Sequence, residues 1–183
     1  MSASKKHPKM LQARVTFLKM EKRAIIPIAA PSLGGKSLAL MRAENCPIHF
    51  YRYLYEQIGK PHHWRARRKQ TDAEAAEIIH APTTFLKILY CGGCPAGFSE
   101  TLFHQENNGL TAEIMYFGLM REYQGLGLSR FFLSETLRAA WAENADKIII
   151  QTNSLDSPRA LQLYQKAGFV PTGTRDTEIE AWE

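Results

Sequence analysis

From Thr84 to Met120 the sequence sets out three strand-like runs joined by two glycine turns, and no other stretch limits the fold as much. "TFLKILY" leads through Cys91-Gly92-Gly93-Cys94 into "PAGFSETLF", and Asn107-Asn108-Gly109 leads into "LTAEIMYFGLM". Gly-Gly and Asn-Gly are the dipeptides that tight hairpins favour, and Asn108-Gly109 is the stronger signal of the two. Residues 84–120 are therefore predicted to form a three-stranded antiparallel meander. Such a sheet has to cover its apolar face with other elements.

The flanking sequence supplies them. Tyr51, Leu54, Tyr55 and Ile58 recur at helical spacing, with Gly59 as a stop. "HHWRARRKQTDAEAAEIIHAP" suggests a second helix, its later part capped by Thr71 or Asp72, with Glu74 completing a box with Thr71. A helix over about 126–143 would bury Phe132, Leu133, Leu137, Ala140 and Trp141 on one side. "SPRALQLYQKAGF" reads as a short helix, with Ser157 as cap, Pro158 in the first turn and Gly168 as stop. "ARVTFLKM" predicts a strand near 14–20, and "DKIIIQTN" has the continuous apolar run of a central strand. "FVPTGTRDTEIEAWE" supplies one or two terminal strands. "IIPIAAPSLGG" reads as a long loop, and "SLALMRAE" fits either a strand or a helix start. The order predicts an α+β, or mixed α/β, single domain over 13–183 after a flexible segment at 1–12.

The totals agree with that reading. The chain has 183 residues, 45% of them hydrophobic and 22% charged, the balance of an ordinary globular domain. A net charge of +5 suits an anionic partner, either a cofactor or nucleic acid. Three cysteines are too few for a disulfide framework, "MSASKKHPKM" lacks the apolar centre of a signal peptide, and runs such as "AIIPIAA" are too short to span a bilayer. A cytoplasmic location and no membrane partner are expected.

The strand ending near Met120 passes into the helix through "QGLGLS". A helix start leaves several N–H groups without carbonyl partners, and glycines let a ligand come close to them. Gln124, Gly125, Leu126, Gly127, Leu128 and Ser129 are thus candidate phosphate binders. A tight connection without a ligand is the alternative. The loop is not the Rossmann fingerprint, because Arg130 stands where the third glycine belongs. "GGKS" at 34–37 imitates the end of a Walker A loop, but Ala30 occupies the first glycine's place and no strand–loop–helix frame surrounds it.

"REYQGLGLSRFFL" and "SPRALQLYQKAGF" together resemble the GNAT acetyltransferase superfamily over about residue 84 to the end. Gln124 and Gly127 match its coenzyme signature, in which a Gln or Arg is followed by two residues, Gly, one residue, and Gly or Ala. Ser129 departs at the last position, where its small side chain crowds at most. Ala160, Tyr164, Gly168 and Phe169 match the second family pattern, with Ser157 in place of its Asn. The resemblance implies a central, mostly antiparallel twisted sheet flanked by helices. It implies direct acetyl transfer from acetyl-coenzyme A to a small-molecule or peptide amine, with no metal, and GNAT domains often form homodimers.

Site residues follow from the same resemblance. Leu119 and Met120 would adjoin the thioester, the Leu119 N–H being a candidate oxyanion donor. Ser157 would lie at the coenzyme, and Tyr164 would protonate the departing thiolate. Tyr164 also suits a plain core position, since it shares a helical face with Ala160, Leu163 and Ala167. Glu113, six residues before Leu119, matches the place of the base in histone-type members; a solvated carboxylate at the strand end is the alternative.

The remaining features have simpler readings. Cys91 and Cys94 lack a second cysteine pair and read as strand ends. The cluster His62, His63, Trp64, Arg65, Arg67 and Arg68 reads as a solvated helical face, with acceptor or nucleic-acid contact as the minor alternative. The stripe from Phe50 to Tyr55 reads mostly as core, with one or two rings available to an acceptor. An N-acetyltransferase is the leading function. A coenzyme-binding sensor domain without turnover and a basic nucleic-acid-binding module, which has no recognisable motif here, are the rivals.

Overall fold

A computed structural model describes residues 8–21 and 27–182. Seven strands are present among them: β1 (Met10–Glu21), β2 (Leu38–Arg42), β3 (Thr84–Cys91), β4 (Cys94–Glu106), β5 (Gly109–Leu119), β6 (Lys147–Asn153) and β7 (Val170–Glu180). They form one sheet in the order β2-β3-β4-β5-β6-β1-β7. Helices α1 (Ile48–Gly59) and α2 (Asp72–Ile79) join β2 to β3, α3 (Leu128–Ala142) joins β5 to β6, and α4 (Ala160–Ala167) precedes β7.

The predicted meander is β3-β4-β5, antiparallel throughout. Its second turn sits one residue earlier than Asn108-Gly109 suggested. Glu106 pairs with Gly109, so Asn107 and Asn108 form the corner, and Gly109 takes the positive φ of 121° as it opens β5. Thr71 and Glu74 form the expected capping box, with the Glu74 N–H donating to Thr71 Oγ1 at 3.3 Å and the Thr71 N–H to Glu74 Oε2 at 2.7 Å. Ser157 does not cap α4: the helix starts at Ala160 with no side-chain cap, and Ser157 opens the preceding turn, its carbonyl accepting the Ala160 N–H at 2.9 Å. At the other end the Gly168 N–H reaches the Gln165 carbonyl at 3.0 Å and the Phe169 N–H the Tyr164 carbonyl at 3.0 Å, a Schellman closure.

Two expectations change. The segment expected to be flexible over 1–12 contains the start of β1 at Met10, because Met10–Ala13 pair with Thr177–Glu180; residues 1–7 lie outside the described residues. The run from His62 to Arg68 is not a continuous helix with a solvated face. It folds as two single 3-10 turns, and Arg67 is buried.

The two faces of the sheet carry separate cores. On one, α3 and α4 press Leu133, Leu137, Tyr164 and Phe169 against Leu18, Ile114, Ile148 and Ile150. On the other, Tyr51, Tyr55 and Ile58 of α1 cover Phe98, Tyr116 and Met120. The second core encloses a charge. Glu100 is 0% exposed, ion-paired to Arg67, and accepts a hydrogen bond from the Tyr51 hydroxyl at 2.5 Å.

Burial raises the Tyr55 phenol above its ordinary range, with the neighbouring Tyr116 phenol adding to the effect, and Tyr51 and Tyr116 are also raised mainly by burial. The folded state therefore keeps protons that the unfolded chain releases above about pH 10. Stability from these phenols is complete below that pH and is lost as pH rises through the folded values. Urea unfolding on either side of about pH 10 should show the loss, and Tyr55→Phe should reduce it. A slope identical in that variant would show that Tyr55 does not carry the effect.

Candidate active site

β5 and β6 are the one parallel pair in the described sheet, and they pair for only four residues, Thr111–Ile114 with Lys147–Ile150. Beyond Ile114 they separate. The cause lies across the sheet, where the β4–β5 register shifts between Glu100, opposite Tyr116, and Thr101, opposite Ile114. Met115 is the extra residue, and such a bulge bends the strand and adds twist. The gap widens into a cavity of about 950 Å³, bounded by Met115–Leu119, Gln151–Asn153, the α3 start, α4 and the segment from His62 to Ala66.

The α3 start faces this cavity. Gly125 and Gly127 hold φ near 79° and 78°, conformations open to glycine and costly for other residues. No side chain caps the helix, and its first turn holds no acid. The N–H groups of Leu128, Ser129 and Arg130 have no helical carbonyl to reach, so they are available to an anion. Leu128 is fully buried against Phe132 and anchors the loop, while Leu126 is exposed. The Gln124 side chain donates from Nε2 to the Leu119 carbonyl at 3.1 Å and ties the loop to the strand end.

Of the residues singled out in the sequence, Leu119, Gln124, Gly125, Gly127, Ser129, Ser157 and Tyr164 line the cavity. Met120 does not. Its N–H donates to the Ala96 carbonyl at 2.9 Å, and its side chain joins the core beneath α1. Main-chain alternation then turns the Leu119 N–H to the opposite edge of β5, toward the gap.

Glu113 is also outside. It lies in the closed part of the pair, opposite Ile149, and its carboxylate faces His104 Nε2 at 3.1 Å. Six residues along an unbroken strand would place it on the same face as Leu119. The bulge at Met115 shifts the phase by one, so Glu113 and Leu119 lie on opposite faces.

Tyr164 is 6% exposed and sits among Phe117, at 6.4 Å between ring centroids, and Phe169, at 6.1 Å. Burial raises its phenol above the ordinary range, and the Asp156 charge raises it further. The hydroxyl therefore stays protonated across the neutral range.

Asp156, Arg159 and Lys166 are wall residues that no local pattern singles out, while His62 and His63 stand out only within the basic cluster, where acceptor contact is the minor alternative. Asp156 accepts from Thr152 Oγ1 at 2.8 Å and the Asn153 N–H at 2.9 Å through Oδ2, and from Trp64 Nε1 at 3.2 Å through Oδ1. His62 Nδ1 lies 3.2 Å from the Leu155 carbonyl; a carbonyl only accepts, so this nitrogen carries the proton. His63 Nδ1 accepts the Trp182 N–H at 2.9 Å. Arg130, Arg159 and Lys166 line the part of the wall formed by α3 and α4. A lone Glu100 inside the apolar run "AGFSETLF" was the one visible hint of a buried carboxylate. Elsewhere in the basic cluster, Arg68 and Lys69 pair with Glu180.

Among the described residues, no cluster of His, Cys, Asp and Glu could hold a metal ion, and no helix is long and apolar enough to cross a membrane. Cys91 and Cys94 pair across the first hairpin as free thiols.

Residues 47–169 match the model of the acetyltransferase (GNAT) family. No curated protein matches the sequence. Among solved structures, a GCN5-related N-acetyltransferase from Sphaerobacter thermophilus aligns over 95% of this chain and 53% of its own, with 14% identity and a TM-score of 0.62. A functionally unknown conserved protein from Staphylococcus epidermidis aligns over 94% of this chain and 63% of its own, with 16% identity and a TM-score of 0.58. The chain therefore spans less than two thirds of either protein. An aminoglycoside N-acetyltransferase in complex with CoA aligns over 76% of this chain and 91% of its own, with 16% identity and a TM-score of 0.58. At these identities the likeness is one of fold.

Proposed function

The chain belongs to the acetyltransferase (GNAT) family and is an acyltransferase, and we propose that it moves an acetyl group from acetyl-coenzyme A directly to an amine held across the cavity. One observation carries the reading: the gap between β5 and β6 opens at one end on uncapped helical N–H groups and passes the Tyr164 side chain. Acetyl-coenzyme A, when bound, supplies the acetyl group activated as a thioester. The donor set suits a polyanion. Arg130, Arg159 and Lys166 add positive charge beside the free N–H groups, and Asp156, the one acid among the described residues on the wall, is engaged by three donors.

The residues divide the remaining work. The N–H groups from Gly125 to Arg130 hold the diphosphate, and Ser157 borders the same region. The free edge of β5 offers main-chain groups to an extended chain, as an added strand would. The Leu119 N–H donates toward the reacting carbonyl, where negative charge develops. Tyr164 gives its phenolic proton to the departing sulfur. His62, with its proton fixed on Nδ1, presents Nε2 as the acceptor for the amine's proton, a role that the placement of Glu113 does not favour.

Calorimetry tests the coenzyme site by itself. Coenzyme A and acetyl-coenzyme A should each give saturable heat. Gly127→Val should weaken both by at least about tenfold, because a branched side chain opposes the positive φ and narrows the approach to the N–H groups. Absence of heat with either carrier would overturn the reading.

A further inference from the structure

The acceptor side of the cavity has its own chemistry. Ile58, Met115, Tyr116 and Trp64 form an apolar and aromatic wall, with Val15 and Ile179 closing it from β1 and β7. Its charge is one-sided. Asp156 is the one acid among the described residues that line the cavity, and its oxygens accept hydrogen bonds from Trp64, Thr152 and Asn153. Those three donors are neutral, so they take three of its acceptor sites and leave its charge in place.

Arg65 stands opposite in character. It lines the cavity and is exposed, and its guanidinium makes no hydrogen bond or ion pair with another described residue. Its charge reaches Glu180, but Lys69 and Arg68 pair with that carboxylate directly. The neighbouring histidines are oriented by the main chain. With Nδ1 of His63 accepting from Trp182, the neutral ring carries its proton on Nε2 and is a donor. With Nδ1 of His62 donating to Leu155, its Nε2 is an acceptor.

We infer that the acceptor is an amino carboxylate with an apolar body, its carboxylate met by Arg65 and His63, its amine by His62 and its side chain by Trp64 and Tyr116. The inference rests on the acetyl-transfer reading and narrows it to a substrate class. A guanidinium without a close carboxylate, beside a second N–H donor, recognises a carboxylate better than any other common group on a small amine. The aromatic wall favours an apolar side chain, and the excess of Arg65, Arg130, Arg159 and Lys166 over Asp156 on the lining disfavours a polyamine.

The test is a calorimetric titration into protein saturated with coenzyme A, using phenylalanine, phenylalaninamide, phenethylamine and spermidine, with phenylalanylglycine as a separate arm. Phenylalanine should bind about tenfold more tightly than its amide or phenethylamine, the usual worth of one charge-assisted contact, and spermidine should bind most weakly. Phenylalanylglycine binding as well as phenylalanine would keep the amino carboxylate class and assign it to peptides. Arg65→Ala should remove the preference for phenylalanine over its amide, while Arg65→Lys should keep part of it. Equal binding of acid and amide, no binding of the acid, or tightest binding of spermidine would overturn the inference. In each of those cases the heat of coenzyme binding, measured beforehand, stands or falls independently.

Discussion

Replacing Tyr164 with phenylalanine should lower kcat by roughly a hundredfold or more while leaving the affinity for acetyl-coenzyme A nearly unchanged. The magnitude follows from the task. A sulfur that leaves as an anion in an apolar slot has to be neutralised there, and a well-placed general acid contributes about 10² to 10⁴. Tyr164 has the placement, on the cavity wall between Phe117 and Phe169 with α4 closed behind it. Its raised pKa does not disqualify it. Burial and the Asp156 charge hold the phenol above its ordinary range, and both disfavour a thiolate expelled beside it in the same direction.

Two measurements separate this role from a packing role. Phenylalanine preserves the ring contacts, so the variant should unfold at nearly the same denaturant concentration as the wild type. Single-turnover thiol release should slow, and the coenzyme Kd should not change. A variant with full turnover would show that another group or solvent protonates the sulfur.

The largest effect on stability should come from Glu100. Glu100→Ala leaves the Arg67 guanidinium buried without its carboxylate and takes the acceptor from the Tyr51 hydroxyl. Breaking a buried pair from one side costs about 3–5 kcal/mol, because a charge is left without compensation. For a chain of this size that lowers Tm by on the order of 10 °C. Glu100→Gln should cost less, since its amide oxygen can still accept from Arg67, although the amide N–H group then faces the Tyr51 oxygen and the Arg67 charge loses its counter-charge.

The double replacement Glu100→Leu with Arg67→Met should be less damaging than either single replacement, because no lone charge remains. Equilibrium unfolding of the three variants decides the matter. Additive losses, or a loss below about 1 kcal/mol for Glu100→Ala, would show that the pair is not coupled as its geometry indicates. The consequence reaches the site. The Arg67 guanidinium lies 5.6 Å from the Tyr116 ring, and Tyr116 is part of the acceptor wall. Variants that survive at low temperature should raise the acceptor KM more than that of the coenzyme.

Much of the fold could be read locally. The meander, the Thr71 capping box, the Gly168 stop and the helical spacing of Tyr51, Leu54, Tyr55 and Ile58 each depend on residues within a few positions of one another. The loop through Gly125 and Gly127 belongs with them, since positive φ beside an uncapped helix is a local requirement. The misreadings share a different origin. The resemblance sets Glu113 six residues before Leu119, and a bulge between them turns the two side chains to opposite faces. The basic cluster suggested a solvated face because Arg67 gives no local sign of its partner, Glu100, which lies thirty-three positions away.

Local sequence was enough for most of the elements, their order, and a glycine loop suited to an anion, because backbone preference and capping act over a single turn. The tertiary structure alone decided that β1 lies between β6 and β7, that β5 and β6 part after Ile114, and that His62, Trp64, Arg65 and Asp156 face one cavity. Those outcomes depend on pairing and burial between distant segments. Their free energies come from the area and charge that two surfaces remove from water together, and neither segment specifies that alone.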